Sequence, residues 1–394
     1  MSFLYDVNSR TGARFFSLGA DLAPVLELSY RDDRRGDSDP GPGVIQASGA
    51  VAELEQPQQF KRTDQANVFS VGASNDADTR TAAVFLSAEV VSLASTSNQL
   101  GCLVLQDDEA WDPASLTLGQ LLERIQSIAG SLENNDLPTL GSAMKFQRQL
   151  QFSTGERLVF LEVVDCTLAE LGPSSASVAS LGARILTLES KLMPSDAGLL
   201  LESPKSGLKL QLQLQNGEPG LPAFLARQQS LAPLLDFTGL GGRSVEGTLQ
   251  FAREALYNST VGFDQVLDVS GAVIDPLTGA ILQPADHGYQ QAALHHSNLL
   301  APLADLSIEN RGASSRELSI QADGIFAPYA VVDTGKDIHT FFAFQEANPD
   351  QLQHFQMLGD NTFVLEDLKD GVERDFDDLI VSFDPIRLAP FTAA

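Results

Sequence analysis

Short runs in which apolar and polar residues alternate recur along most of this chain, and that period of two restricts it to β structure. Leu208–Gln215 reads LKLQLQLQ, Asn361–Leu368 reads NTFVLEDL and Phe376–Asp384 reads FDDLIVSFD. Successive side chains of a strand point to opposite faces, so such runs bury one side and wet the other. Val68–Ser74, Thr81–Ser95 and Gly101–Asp108 follow the same pattern, with turn residues between them. The clearest departure is Ser115–Gly130, where Leu118, Leu121, Leu122, Ile125 and Ile128 fall on one helical face. Ser115 or Thr117 is the expected N-cap and Gly130 the expected stop. After it, a hairpin is expected to turn at Ser153-Thr154-Gly155.

The last two alternating runs enclose the densest charge in the chain. Glu366, Asp367, Asp370, Glu373, Asp375, Asp377 and Asp378 lie within one short loop, offset only by Lys369 and Arg374. A turn on Gly371 does not need so many carboxylates, but a hard cation does: Ca²⁺ takes roughly six to eight oxygen ligands, which closely spaced Asp and Glu supply. Asp367, Asp375, Asp377 and Asp378 are the first candidates, with Glu366, Asp370 and Glu373 next. Asp360 and Asn361, in the neighbouring turn, could add an oxygen. Strand periodicity places Phe376 inward and Asp375 and Asp377 outward together, and Asp378 joins them only if a bulge or turn breaks the alternation there. The bland alternative is a solvated acidic turn.

The same region carries a family resemblance. Phe341-Phe342-Ala343-Phe344, Glu346-Ala347-Asn348-Pro349-Asp350, His354-Phe355, Leu358-Gly359-Asp360-Asn361-Thr362-Phe363, Glu366-Asp367-Leu368 and Asp375-Phe376-Asp377-Asp378-Leu379 occur in that order. In this the chain resembles domain of unknown function 4114, found in bacterial and cyanobacterial secreted or surface proteins, often beside calcium-binding repeats. The resemblance extends upstream through Val261-Gly262-Phe263, Val273–Gly279 and Asp286–Tyr289, roughly the last third of the chain. Leu365 stands where the family has Phe, Glu373 where Asp is usual and Asp377 where Asn is common, and the turn has one Gly where several are frequent. These changes keep oxygen ligands available. The resemblance implies an extracellular or surface setting and leaves the biochemical role open.

An internal echo runs through the chain. Leu100-Gly101-Cys102, Asp112-Pro113, a helix and Val163-Val164-Asp165 are matched by Val261-Gly262-Phe263, Asp275-Pro276, a helix-like stretch from Gly288 and Val331-Val332-Asp333. This reads as a duplication whose first copy lacks the acidic loop. The expected architecture is mainly β: two related β-sandwich or jelly-roll-like units, each with one inserted helix. The boundaries are N-terminal strands and a Gly/Pro-rich linker (1–45), a first β-rich unit (46–171), a linking region (172–245) and a C-terminal, calcium-binding domain (246–394).

The formal charge of −27 over 394 residues makes nucleic acid and anionic membrane poor partners and divalent cations natural counter-ions. No apolar run has transmembrane length, so membrane insertion is not expected. MSFLYDVNSRTGARFF lacks the apolar core of a Sec signal, so export is expected to proceed without one unless the chain is a fragment. Cys102 and Cys166 have no zinc spacing and are read as buried thiols or one bridge. Arg35-Gly36-Asp37, a tripeptide some adhesion receptors read, is too short a match to carry a function. Catalytic signatures are missing, and His354 is read as a buried residue that pins the acidic loop. The expectation is a non-enzymatic extracellular calcium module in surface attachment or matrix assembly, with a surface glycan or protein as partner. The alternatives are a calcium-dependent carbohydrate-binding module and a secreted hydrolase, which would need an acid and a base from distant segments.

Overall fold

The computed structural model describes residues 58–389 apart from 74–82, 93–97, 107–108, 132–146, 154, 194–197, 216–231, 241 and 370–373. The N-terminal strands, the linker with Arg35-Gly36-Asp37, and the candidate ligands Asp370 and Glu373 therefore lie outside the described residues.

The first half contains β1 (Gln58–Arg62), β2 (Val68–Ala73), β3 (Ala83–Ser92), β4 (Asn98–Leu105), helix α1 (Leu118–Arg124), β5 (Ile125–Ser131), β6 (Gln147–Ser153) and β7 (Arg157–Val163). Helix α2 (Leu168–Leu171), β8 (Ile185–Thr187), β9 (Glu189–Leu192), β10 (Gly198–Glu202) and β11 (Lys209–Gln215) follow. The second half contains β12 (Leu235–Asp236), β13 (Ser244–Arg253), β14 (Asn258–Val266), β15 (Val273–Ile274), β16 (Ile281–Leu282) and helix α3 (Tyr289–Ala293). It ends with β17 (Ala313–Gln321), β18 (Ile325–Asp333), β19 (Ile338–Phe342), β20 (Phe355–Gly359), β21 (Thr362–Leu365) and β22 (Leu379–Leu388). The protein is mainly β, in several antiparallel sheets.

One strand order is used twice. The first half has a sheet β1-β2-β7-β4-β5, with β8 also on β7, and a sheet β6-β3-β11-β10-β9. The second half has β12-β18-β14, with β19 also on β18, and β17-β13-β22-β21-β20. Thus β4 and β7 correspond to β14 and β18, and β3, β6, β9, β10 and β11 correspond to β13, β17, β20, β21 and β22. The register agrees as well: Gly101 lies opposite Leu161, and Gly262 opposite Tyr329. Strands from 185–215, in the stretch expected as a link, belong to the first half's two sheets, and they place the counterpart of the acidic hairpin at the β10–β11 turn.

Both first-half sheets contribute to one core, with Phe60, Phe69 and Phe160 from one and Phe152, Leu199 and Leu212 from the other. In the second half, Phe263 of β14 meets Phe363 of β21 edge-on, with centroids 5.2 Å apart. The other face of each β4/β14-type sheet is covered by a helix: Leu118 and Leu121 of α1 pack on Leu103, Val159 and Leu161, and Tyr289 and Ala292 of α3 pack with Val266 and Tyr329.

Two local expectations are corrected. Thr117 caps α1 in a full capping box with Gln120, but the helix ends at Arg124, and Ile125 and Ile128 belong to strand β5. The chain turns extended at Ile125, where β5 pairs with β4 and Gly101 leaves the space that the Ile125 side chain fills. The turn at Gly155 is not a hairpin either, because β6 and β7 enter different sheets. Gly155 has φ +90°, and its N–H donates to Val71 O across the turn, so β2 and not β6 receives the chain. Cys102 and Cys166 are both free and buried, and burial pushes both thiols up.

Candidate metal centre

The acidic segment hangs between β21 and β22, whose ends are held in register by Leu365 opposite Leu379. Residues 374–378 precede β22 and are not extended strand. Phe376 is buried with φ +58°, a left-handed conformation that breaks the alternation expected for Asp375 and Asp377. The result is a different pairing: Asp378 turns back, and its Oδ2 accepts the Asp367 N–H at 2.6 Å.

Three of the candidates are thereby brought together, with a fourth close enough to act on them. Glu366 and Asp367 are 2% and 1% exposed, and the Asp378 carboxyl, held on the Asp367 N–H, is close enough for the two carboxyls to act on each other. Asp367 Oδ2 also accepts from Ser259 Oγ at 3.0 Å, whereas Asp367 Oδ1 and Glu366 Oε2 are buried without a hydrogen-bond partner among the described residues. Burial, then repulsion from Asp375 and Asp367, pushes Glu366 up to about 8. Burial, then repulsion from Asp367 and Glu366, pushes Asp378 up to about 9. Asp367 is also raised by burial, against the pull of Ser259 and of the Arg253 guanidinium.

The other candidates stand apart from this core. Asp377 is buried and its N–H reaches Asp375 Oδ1 at 3.5 Å. Asp360 lies at the opposite end of β21 from Glu366, on the order of 15 Å away along the strand. It is not brought to the cluster. Among the described residues, no group of three or more His, Cys, Asp and Glu side chains is arranged to hold a metal ion as it stands.

His354 fastens the segment from below. Its C=O accepts from the Glu366 N–H at 2.9 Å. The ring is 1% exposed and stacked on Phe341 at 3.7 Å. Nδ1 lies 2.7 Å from Glu366 O, and a carbonyl only accepts, so Nδ1 carries the proton. Nε2 faces the Asp350 carboxyl at 3.1 Å.

Sequence reasoning missed three contributors. Ser259 lies 108 residues from Asp367 along the chain. Arg253 is buried, donating to the Ile308 and Tyr257 carbonyls. Glu170, the capping-box partner of Thr167 in α2, also accepts from Arg374 Nη2 at 2.5 Å and so ties the acidic segment to the first half. No local pattern announces such partners. Hydrogen bonds to charged groups contribute about 1.5–3 kcal/mol when buried. Glu170→Ala and Arg374→Ala should therefore each cost about 2 kcal/mol in urea unfolding, and the double variant should cost clearly less than their sum.

The first half shows what the same place looks like when it is satisfied. Asn98 stands three residues before Gly101, as Ser259 stands three before Gly262. Its Nδ2 donates to Glu162 at 2.6 Å, and Glu162, fully buried, also accepts from Ser203 and Ser206 of the β10–β11 turn. One carboxylate there has three donors. In the second half, three carboxyls share Ser259 and main-chain N–H groups, and two oxygens are left over. Searches of protein-family models, of curated proteins and of solved structures return no match for this chain.

Proposed function

We propose that the chain is a non-enzymatic, extracellular or cell-surface calcium-binding module that acts in surface attachment or matrix assembly, with a surface glycan or protein as its partner. Its architecture reads as two related sandwich-like units, each with a helix covering one sheet face, of which only the second binds Ca²⁺. The observation that carries this reading is the crowding of the Asp367 and Asp378 carboxyls beside buried Glu366, with Asp367 Oδ1 and Glu366 Oε2 left without a hydrogen-bond partner among the described residues. Carboxyls crowded out of water need protons or a cation among them. The donor set is all oxygen, which suits a hard cation. Glu366, Asp367 and Asp378 would hold the ion, with Asp375 beside them. The role of Ca²⁺ is structural: it draws together groups that otherwise repel, and so couples binding to folding. The likeness of residues 341–379 to domain of unknown function 4114 supports the extracellular setting.

A groove of about 480 Å³ shares Ser259 with the acidic cluster and is lined by Asn258, Thr260, Ser307, Glu309 and Asn310. Its hydroxyl and amide lining favours, as a second reading, a glycan held beside the metal. Calorimetric titration of chelator-stripped protein tests the primary reading. Ca²⁺ should bind with release of protons, Mg²⁺ should bind far more weakly, and Asp367→Asn/Asp378→Asn should abolish the signal. A titration without calcium heat or proton release would leave the segment a buried acidic turn and remove the function with it.

A further inference from the structure

Asp264 is an ionisable group that nothing above uses. It lies on β14 next to Phe263, whose ring faces β21, so strand alternation turns Asp264 to the opposite face, the one covered by α3. Its exposure is 0%, and beyond its own main-chain amide neither carboxyl oxygen has a hydrogen-bond partner among the described residues. The first half shows that the fold does not require an acid here. Leu103, two residues after Gly101 as Asp264 is two after Gly262, packs fully buried against the sheet and α1.

The cover over Asp264 is a single excursion of chain, from Leu267 to Leu306. It carries β15, β16 and α3 and returns along the free edge of β14. Gln265 N donates to Asn298 O, Leu300 N to Phe263 O, and Val261 and Leu306 exchange a pair of bonds, so the return is zipped to β14 on both sides of Asp264. From the excursion, Tyr289 faces the acid, its hydroxyl given to Gly271 O. From β18, Tyr329 faces it, with Asp305 of the excursion acting on Tyr329 in turn. No cation from the described residues acts on Asp264. The excursion also holds Leu267, Val269, Ile274, Leu277 and Ile281 exposed, a concentration of apolar side chains on the piece of chain that the acid underlies.

We propose that Asp264 is a proton-dependent latch: the segment 267–306 docks on its sheet only while the Asp264 carboxyl is protonated, and ionisation releases it. Among the described residues a carboxylate in this core has no donor beyond its own main-chain amide and no counter-ion, and the cost of burying it falls on the element that can move away and admit water. Burial raises Asp264 well above the ordinary carboxylate range, while Tyr329 is pushed up to about 12 and Tyr289 is also raised, so neither phenol supplies the charge change first. Because the docked value lies above the undocked one, docking is strongest below about pH 4 and weakens as pH rises towards the docked value.

Amide hydrogen exchange on the full chain between pH 5 and 9, corrected for base catalysis, tests this for the wild type, Asp264→Asn and Asp264→Leu. Running it both in chelator and in Ca²⁺ separates it from titration of the acidic cluster. In the wild type, protection of 267–306 should fall up to tenfold per pH unit while β13 and β22 keep theirs, with or without Ca²⁺. In both variants the segment should hold a pH-independent protection. Parallel profiles in wild type and Asp264→Leu would overturn the latch, as would a wild-type loss spread evenly over the chain. Should either variant fail to fold, the wild-type contrast between 267–306 and the remaining strands decides alone, and a flat profile rejects the proposal.

Discussion

Stripped of divalent cations, the protein should be most stable in mild acid and lose stability steadily as pH rises towards 8 or 9, with Ca²⁺ reversing the loss. The direction is opposite to that of an ordinary ion-paired carboxylate. Glu366 and Asp378 titrate at about 8 and about 9 in the folded chain. Unfolded, such groups titrate near 4. Between those limits the folded state holds protons that the unfolded state has released, so each retained proton lowers stability by about 1.4 kcal/mol per pH unit. Below about pH 4 the contribution is fully present, and above about pH 9 it is fully lost. Calcium takes the place of the protons. At one hundred times its dissociation constant it adds about 2.7 kcal/mol, and more at higher pH, where fewer protons compete. Thermal unfolding from pH 5 to 9, in chelator and in Ca²⁺, checks both statements. Asp378→Asn should flatten the chelator profile and remove most of the calcium response. A chelator profile that rises with pH would show the cluster to be satisfied by internal donors, as Glu162 is by Asn98, Ser203 and Ser206.

How far the sequence discloses this centre follows from the range of each interaction. Alternation is local, so LKLQLQLQ and FDDLIVSFD mark β11 and β22 without any knowledge of their neighbours. The pairing of strands is not local. Nothing around Ser153–Gly155 tells that β6 and β7 part into different sheets, because a tight turn between two apolar runs looks the same whether the runs pair or separate. Ile125 and Ile128 fit a helical face as well as a strand face, and only the open edge of β4 decides between them. In the acidic segment, charge density marks the place, but the left-handed Phe376 determines which carboxyls meet. A non-glycine residue at positive φ has no sequence signature, so Asp378 and not Asp375 or Asp377 becomes the partner of Asp367. The repeated strand order behaves in the same way. Leu100-Gly101 and Val261-Gly262 can be matched by eye, whereas the correspondence of β10–β11 with β21–β22 emerges only from the order of the sheets.

Those two matched glycines should respond very differently to alanine, and Gly262→Ala should be among the most damaging single changes in the second half. A Cβ at Gly262 would lie 2.4 Å from the Tyr329 hydroxyl oxygen and 2.5 Å from Cζ of the same ring. Tyr329 is buried and sits directly opposite on β18, in the core formed with Tyr289 and Ala327. A ring moves as a rigid plate, so relief requires either a shift of β18 against β14 or a rotamer that displaces α3. Both disturb the face on which Asp264 lies. Overpacking of this kind costs about 1–3 kcal/mol and more where no flexible atom can yield, so a loss of about 3 kcal/mol is expected. At Gly101 the nearest atoms are Cδ1 and Cγ1 of Ile125, at 2.4 and 2.6 Å. These belong to an aliphatic side chain on edge strand β5, which can turn about its own bonds, so Gly101→Ala should cost about 1–2 kcal/mol. Pairing each change with a smaller neighbour separates steric cost from backbone cost. Tyr329→Ala should rescue most of the penalty of Gly262→Ala, and Ile125→Ala most of that of Gly101→Ala, each read as a non-additive double-variant cycle in urea unfolding. If the first cycle is additive, the ring is not what makes glycine necessary at position 262, and the close approach of β14 to β18 must be held by the backbone itself.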